Sequence, residues 1–269
     1  NSAFAAAAQA FYQAHSTRAV PSTYREVMQH KEKEGWQKAM DSEWASLAAR
    51  DVLKIVEKSK VPKDAKLIGC RWVYAEKTDA EGNVTRLKAR LVAQGYTQRA
   101  GLDYTETFSP VVRNGTVRLL LAIARKHGMH IHQMDVKTAY LYGTLDKPLY
   151  MRPPEGSDLF GTDKCYQLQR ALYGLKQAGR MWNQLFDSSI TELGFRQCKA
   201  EPCVYIKGSG ENLVIIAIYV DDVLVMSNSL KLVALTKMQL TKKFEMEDNG
   251  EVSYLSLIHI SEPTRPRLI

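Results

Sequence analysis

The stretch that decides the fold is LVIIAIYVDDVLVMS, residues 213–227, where Asp221 and Asp222 interrupt an otherwise apolar run. Both flanks have the length and the β-branched content of buried strands, which predicts a hairpin with the Asp pair at its tip. Carboxylates in apolar surroundings lose hydration and repel each other unless a cation or hydrogen-bond donors replace the water. A bound dication would satisfy both groups. The alternative is a tight turn that uses Asp because this residue tolerates turns.

A further carboxylate, Asp135, stands in a similar setting in MHIHQMDVKTAYLYGTL, residues 129–145. An alternating stretch leads into Asp135, so we expect it at the end of a strand. Two-metal nucleotidyl transfer needs carboxylates from separate elements that converge on two dications about 4 Å apart. Asp135, Asp221 and Asp222 have that form, although Asp135 could instead cap the turn or helix that follows it.

The composition indicates a globular protein with an anionic partner. The chain has 269 residues, of which 45% are hydrophobic and 25% charged, so we expect one or two compact units. A net charge of +8 and a pI near 9.2 favour nucleic acid or an acidic membrane surface. No transmembrane stretch or signal peptide supports a membrane, and we expect the chain to be a fragment of a longer protein.

The pattern along the chain predicts three segments. Residues 1–20 are rich in Ala and Gln and predict a disordered linker. Residues 256–269 carry two prolines and no usable periodicity, and we expect them to be a tail that is disordered or an artefact of sequencing. Between them, helical periodicity marks residues 22–50, 116–127, 175–193 and 230–244. Strand patterns mark residues 52–56, 71–78, 84–92, 129–135 and 166–168.

One predicted strand carries a basic face. In VTRLKARLV, residues 84–92, Arg86, Lys88 and Arg90 alternate with apolar residues, so a strand would present three cations on one side. That face suits phosphates. The alternative is a solvated basic face that binds nothing.

A glycine-flanked polar cluster follows in ALYGLKQAGRMW, residues 171–182. Gly174 and Gly179 bracket Lys176, Gln177 and Arg180. Glycines allow a ligand to approach the backbone closely, but they serve close packing of the chain equally well.

Taken together, six strings resemble one known family. They are KARLVAQGYTQ (88–98), DYTETFSPVVR (103–113), HQMDVKTAYLYGTL (132–145), YMRPPEG (150–156), ALYGLKQAGRMWN (171–183) and YVDD (219–222). In this order and spacing they resemble the reverse transcriptase of copia-type long-terminal-repeat retrotransposons, over residues 21–255. The resemblance implies an α+β fold with the fingers and palm of a right-hand polymerase, the palm being a ferredoxin-like split βαβ sheet. We expect the family's thumb and RNase H domains to be missing from this chain.

The same resemblance implies roles for individual residues. Asp135, Asp221 and Asp222 match the carboxylates that hold two Mg²⁺ ions, or Mn²⁺ in their place. Tyr140, five residues after Asp135, matches an aromatic gate that rejects a 2′-hydroxyl. The residues implied to bind the incoming nucleotide are Lys88, Arg90, Tyr140 and Gln177, and those implied to bind nucleic acid are Arg86, Lys176 and Arg180.

The implied function is an RNA-directed DNA polymerase with an RNA template, a DNA primer and deoxynucleoside triphosphates. Its further partners would be the rest of a Pol polyprotein, with integrase upstream and RNase H downstream, and its location cytoplasmic virus-like particles or the nucleus. A second hypothesis is a truncated, inactive remnant that binds nucleic acid without specificity. A third, a metal nuclease, uses the same carboxylates but does not explain Tyr140 or Arg90.

Overall fold

A computed structural model describes residues 20–79 and 82–252. The expected tail over residues 256–269, and the expected linker up to residue 19, lie outside this part of the chain. The helices described are α1 (Tyr24–Gln29), α2 (Lys33–Ala49), α3 (Asn114–Lys126), α4 (Ala178–Glu192) and α5 (Leu230–Lys243).

The strands described are β1 (Leu53–Glu57), β2 (Leu67–Ile68), β3 (Cys70–Thr78), β4 (Val84–Ala93), β5 (His130–Val136), β6 (Thr144–Met151), β7 (Lys164–Arg170), β8 (Arg196–Gln197), β9 (Val204–Lys207), β10 (Val214–Tyr219), β11 (Asp222–Ser227) and β12 (Met246–Glu251). The predicted mixture of helices and strands is therefore confirmed. Within the described ranges, no helix has the length and apolar character that crossing a membrane requires.

The chain divides into two compact units. The first unit runs to Thr107 and includes Tyr140–Ala178, and the second comprises Phe108–Ala139 together with the chain from Gly179 onward. This division agrees with the expectation of one or two compact units.

The first unit contains a four-stranded sheet in the order β1-β7-β6-β2 and a ribbon formed by β3 and β4. Helix α2 packs on β4, and its buried Trp36 meets the ring of Tyr74 edge-on at 5.4 Å. The single helix expected over residues 22–50 is two helices. His30 ends α1 with extended backbone, and its Nδ1 accepts the N–H of Glu32, which stabilises the turn before α2.

The ribbon confirms the two-faced character predicted for β4. Ala89 and Leu91 are buried, whereas Arg86 is exposed and Lys88 and Arg90 are half-buried. Arg86 is also the direct cross-strand partner of Lys77 on β3. This pairing places two positive charges side by side at one end of the ribbon. Like charges placed opposite each other are destabilising unless an anion lies between them or nearby.

The second unit is built on an antiparallel sheet in the order β12-β5-β11-β10-β9-β8. The hairpin predicted from residues 213–227 is confirmed as β10 and β11, at the centre of this sheet. Val214 to Ile218 and Val223 to Ser227 are buried without interruption. Strands that are covered on both faces have continuous apolar sequences. This explains why apolar and polar residues do not alternate along β10 and β11.

Two differences from the sequence expectations affect the site. Helix α4 begins at Ala178, three residues later than predicted, because residues 172–178 form turns in which Leu175 and Ala178 donate to Leu172 and Leu175. Strand β12, which pairs with β5, was not predicted, because MEDNGE has neither apolar alternation nor a β-branched residue.

Candidate active site

The carboxylate pair lies at a two-residue hairpin turn between β10 and β11. Tyr219 and Asp222 are the last register partners, so Val220 and Asp221 form the turn itself. Val220 has a φ of 59°, as the first central residue of the turns favoured in hairpins requires. Asp222 is the first residue of β11. The predicted tip position is thus confirmed, with one Asp in the turn and the other on the strand.

Strand β5 brings Asp135 directly beside Asp222. The two residues are cross-strand partners in the register of β5 and β11, and directly opposed side chains share one face of a sheet. The backbone N–H of Val136 donates to the carbonyl of Asp221 at 2.8 Å. Asp135 and Asp222, which are 87 positions apart in sequence, therefore meet at one end of the sheet.

The electrostatics of this end are dominated by negative charge. Asp222 is half-buried and accepts a hydrogen bond from Gln133 Nε2 at 2.8 Å. Burial raises the pKa of Asp222 above its usual value; the charge of Asp221 raises it further, and the Gln133 hydrogen bond opposes the shift. The proton is held more tightly here because the ionised form lacks compensating positive charge.

A third acidic residue extends the row. Glu247 on β12 is the register partner of Asp135 on the side opposite Asp222, so three carboxylates follow one another across neighbouring strands. Sequence reasoning missed Glu247 because β12 itself was not predicted. Its position beside Asp135 becomes visible only when the sheet order is known.

The donor set suits a hard dication. Across residues 20–79 and 82–252, no group of three or more His, Cys, Asp or Glu side chains is arranged to hold a metal ion by itself. Mg²⁺ in nucleotide enzymes is bound through one or two carboxylates together with substrate phosphates and water. The adjacent Asp135 and Asp222, with Asp221 next in sequence, fit that mode of binding.

The nucleotide-binding candidates of the first unit include a connected aromatic cluster. The Arg90 guanidinium lies 4.7 Å from the centre of the Tyr173 ring, and Tyr140 meets Tyr173 edge-on at 5.3 Å. Two residues predicted from separate strings therefore contact the same ring. Tyr173 was not predicted as a site residue, although it lies in the ALYGLKQAGRMW string.

Gln177 is placed differently from what a nucleotide-binding role suggests. It is buried, its Nε2 donates to the Asp103 carbonyl at 3.1 Å, and its Oε1 accepts from Gln98 Nε2 at 3.0 Å. Gln98 in turn accepts the backbone N–H of Lys176. In this structure the amide of Gln177 therefore holds the 98–103 segment against the turn before α4.

The other candidates lie at the surface or in turns. Lys176 is exposed and its Nζ contacts Tyr104, whose hydroxyl is 3.1 Å away. Arg180 lies in the first turn of α4, in the second unit, and is half-buried. Gly174 serves close packing of the chain, which was one of the two roles that the sequence left open. Its φ is 86°, and a Cβ there would overlap the Ala93 carbonyl oxygen.

Comparisons with known proteins identify the family of the chain. A family model described as reverse transcriptase (RNA-dependent DNA polymerase) matches residues 51–265. The chain is 39% identical over 232 residues to the retrovirus-related Pol polyprotein from transposon TNT 1-94 of Nicotiana tabacum, covering 86% of this chain and 17% of that protein. It is 35% identical over 237 residues to the corresponding polyprotein from transposon RE1 of Arabidopsis thaliana, covering 88% of this chain and 16% of that protein.

The chain thus spans less than a fifth of the length of these polyproteins. The family model covers most of the chain, and the two relatives match 86% and 88% of it. The chain therefore belongs to the reverse transcriptase family, in the form found in Pol polyproteins of copia-type retrotransposons.

Proposed function

We propose that this chain is the nucleotidyl-transferring part of an RNA-directed DNA polymerase, and that Asp135, Asp221 and Asp222 hold its two Mg²⁺ ions. The single observation that carries the proposal is the register of β5 and β11, which makes Asp135 and Asp222 direct neighbours. Asp221 adjoins them through its carbonyl, which accepts the Val136 N–H. We further propose that the second unit corresponds to the palm, with its split βαβ sheet, and the first to the fingers.

The reaction joins the primer 3′-oxygen to the α-phosphorus of a deoxynucleoside triphosphate. The bond between the α-phosphorus and the bridging oxygen of the β-phosphate breaks, pyrophosphate leaves, and the hydroxyl proton passes to solvent. The bound ions would supply acidification of the hydroxyl and neutralisation of the phosphate charge. The chain's own residues position these groups, because Asp135 and Asp222 on neighbouring strands, with Asp221 in the adjoining turn, define where charge is held.

For the first unit we propose that Arg90 and Lys88 neutralise the triphosphate and that Tyr140 excludes the 2′-hydroxyl of ribonucleotides. The Arg90–Tyr173–Tyr140 cluster supports this proposal because a single ring, Tyr173, fixes both side chains. Arg86 with its partner Lys77, and Lys176 and Arg180, are proposed to contact nucleic-acid phosphates. For Gln177 we propose a structural contribution through its buried amide, in addition to the sugar contact that the family implies.

The decisive experiment is primer extension on an RNA template with the chain expressed in its full reading frame. Asp221→Asn should lower the extension rate by on the order of 10³, about 4 kcal/mol, because a ligand acts on the chemical step. Template binding, measured by fluorescence anisotropy, should change little, because affinity comes from phosphate contacts.

Asp41→Asn is the matched control, because Asp41 is an exposed residue of α2. It should extend primers at the parent rate. An Asp221→Asn variant that retains more than a tenth of that rate would contradict the proposal. Mg²⁺-dependent cleavage of the template that Asp221→Asn abolishes, without any extension by the parent, would favour the nuclease hypothesis instead. Template binding with neither activity would favour an inactive remnant.

A further inference from the structure

The turn that carries Asp221 holds an unfavourable backbone conformation. Val220 is β-branched and has a φ of 59°, a region that such residues rarely occupy. Backbone strain of this kind persists only where the surrounding structure holds it in place. The hydrogen bonds that hold this turn are therefore part of what positions Asp221.

One of these bonds comes from the indole of Trp182 on α4. Trp182 Nε1 donates to the carbonyl oxygen of Val220 at 2.6 Å, and the indole has no acceptor atom that could make another kind of hydrogen bond. The ring itself is buried, 2% exposed, and packs against Phe186 at 5.6 Å and Phe244 at 5.2 Å. The indole ring is thus one member of an aromatic cluster in the core of the second unit.

The second bond fixes the other side of Asp221. Its carbonyl accepts the N–H of Val136, the residue after Asp135. Because each peptide unit is planar, holding the Val220 carbonyl orients the peptide before Asp221, and holding the Asp221 carbonyl orients the peptide after it. The backbone of Asp221 is therefore clamped on both sides, and one clamp leads directly to Asp135.

We propose that Trp182 is a positioning residue of the active site, which sets the orientation of Asp221 relative to Asp135 through its hydrogen bond to Val220. The inference rests on the proposed function and deepens it, because it identifies a residue outside the carboxylate row on which the chemical step depends. The competing interpretation is that Trp182 serves only as a core aromatic. The positioning role requires the indole N–H of Trp182, whereas the core role requires only its aromatic ring.

The test separates the N–H from the ring. Trp182→Phe keeps an aromatic side chain but removes the donor, and site-specific replacement of Trp182 by 3-benzothienylalanine keeps the size and shape of indole with sulfur in place of N–H. Phe186→Leu is the matched control: it disturbs the same cluster but leaves the Trp182 donor in place. All are compared in the full reading frame, with thermal unfolding measured for each.

We expect both Trp182 replacements to lower kcat for primer extension by about 10- to 100-fold, as small displacements of a reacting geometry do. The KM for the deoxynucleotide should stay within about threefold, since binding contacts remain. Phe186→Leu should lower the melting temperature at least as much as 3-benzothienylalanine but leave kcat within about threefold of the parent. If 3-benzothienylalanine leaves kcat unchanged, or Phe186→Leu lowers it equally, the proposal is overturned.

A second readout does not depend on polymerase activity. Amide hydrogen exchange of Val136 reports the clamp directly, because its N–H is bonded to Asp221. Exchange at Val136 should accelerate at least tenfold in the 3-benzothienylalanine variant and remain near the parent rate in Phe186→Leu. Unchanged exchange at Val136 would overturn the positioning role of Trp182, even if Asp221→Asn abolishes primer extension. Accelerated exchange would support that role, even if the parent chain does not polymerise.

Discussion

At the scale of single residues, the site depends on where polar groups interrupt an apolar sheet. Asp222 is the one charged residue of β11, and its neighbours Val223 to Ser227 are all buried. A carboxylate in this position is costly unless positive charge or donors compensate it. Gln133 supplies one donor, and the raised pKa of Asp222 shows that it does not compensate fully.

The residue that should govern sugar selection is Tyr140. Tyr140→Ala removes the ring and opens the space that a 2′-hydroxyl would occupy, so ribonucleotide incorporation should rise about 10- to 100-fold. This corresponds to about 1 to 3 kcal/mol of lost discrimination. Single-nucleotide primer extension with matched deoxy- and ribonucleotides measures the ratio.

Two variants serve as controls for this prediction. Tyr140→Phe keeps the ring and should leave the ratio nearly unchanged. Tyr173→Leu removes the ring that Tyr140 and Arg90 share, so it should weaken discrimination less than Tyr140→Ala while raising the KM for the nucleotide. Full exclusion of ribonucleotides by Tyr140→Ala would mean that Tyr140 is only a packing residue.

At the scale of elements, the turn before α4 is fixed by the close approach of two backbone segments. Gly174 lies against the carbonyl of Ala93 at the end of β4, and the N–H of Ala93 donates to the carbonyl of Tyr173. A Cβ on Gly95 would likewise overlap the carbonyl of Gly174. This contact ties β4, which bears Arg90, to the segment that bears Tyr173 and Gln177.

Replacement of Gly174 by Ala should therefore be strongly destabilising. Both the positive φ and the overlap with the Ala93 carbonyl act against a side chain, so the free energy of unfolding should fall by about 2 to 4 kcal/mol. Gly82→Ala is the control, because Gly82 has the same φ of 86° but no atom of residues 20–79 or 82–252 other than its chain neighbours lies within 4 Å of its Cβ position. That variant should lose about 1 kcal/mol, the conformational part alone. Equal losses in urea denaturation would show that the backbone contact at Gly174 has no energetic effect.

At the scale of the whole molecule, the net charge of +8 should favour association with nucleic acid, the partner that we propose. Cations that contact phosphates release counterions, so the logarithm of the binding constant should fall linearly with the logarithm of salt concentration. Arg86→Gln removes one charge from the Arg86–Lys77 pair and should reduce the magnitude of that slope by about 1, equally for different sequences.

The comparison variant is Lys54→Gln, which removes an exposed charge from β1 in the same unit. It should leave the slope near that of the parent, although the net charge changes by the same amount. Identical slopes for Arg86→Gln and the parent in anisotropy titrations would indicate that the basic face of β4 is solvated and binds no phosphate.

Much of the fold and of the site could be predicted from the sequence, because in several strands the local hydrophobic pattern matches the side chains that the fold buries. The apolar flanks of Asp221 and Asp222 require a buried hairpin, the cations of β4 alternate with the side chains it buries, and Asp135 follows an alternating strand. In each case one stretch of chain carries both the strand signal and the chemical group. Strand β12 carries neither signal, so Glu247 could not be foreseen.

The sequence by itself determined the helices and strands that have a clear periodic pattern, the acidic residues Asp135, Asp221 and Asp222 that interrupt them, and the family to which the chain belongs. Only the tertiary structure decided which residues are neighbours: Asp135 beside Asp222, Tyr173 between Arg90 and Tyr140, and Trp182 bonded to Val220. The physical reason is that strand and helix periodicity are local properties of the chain. Register between distant strands, and the hydrogen bonds that hold a strained turn, depend instead on how separate segments share one core.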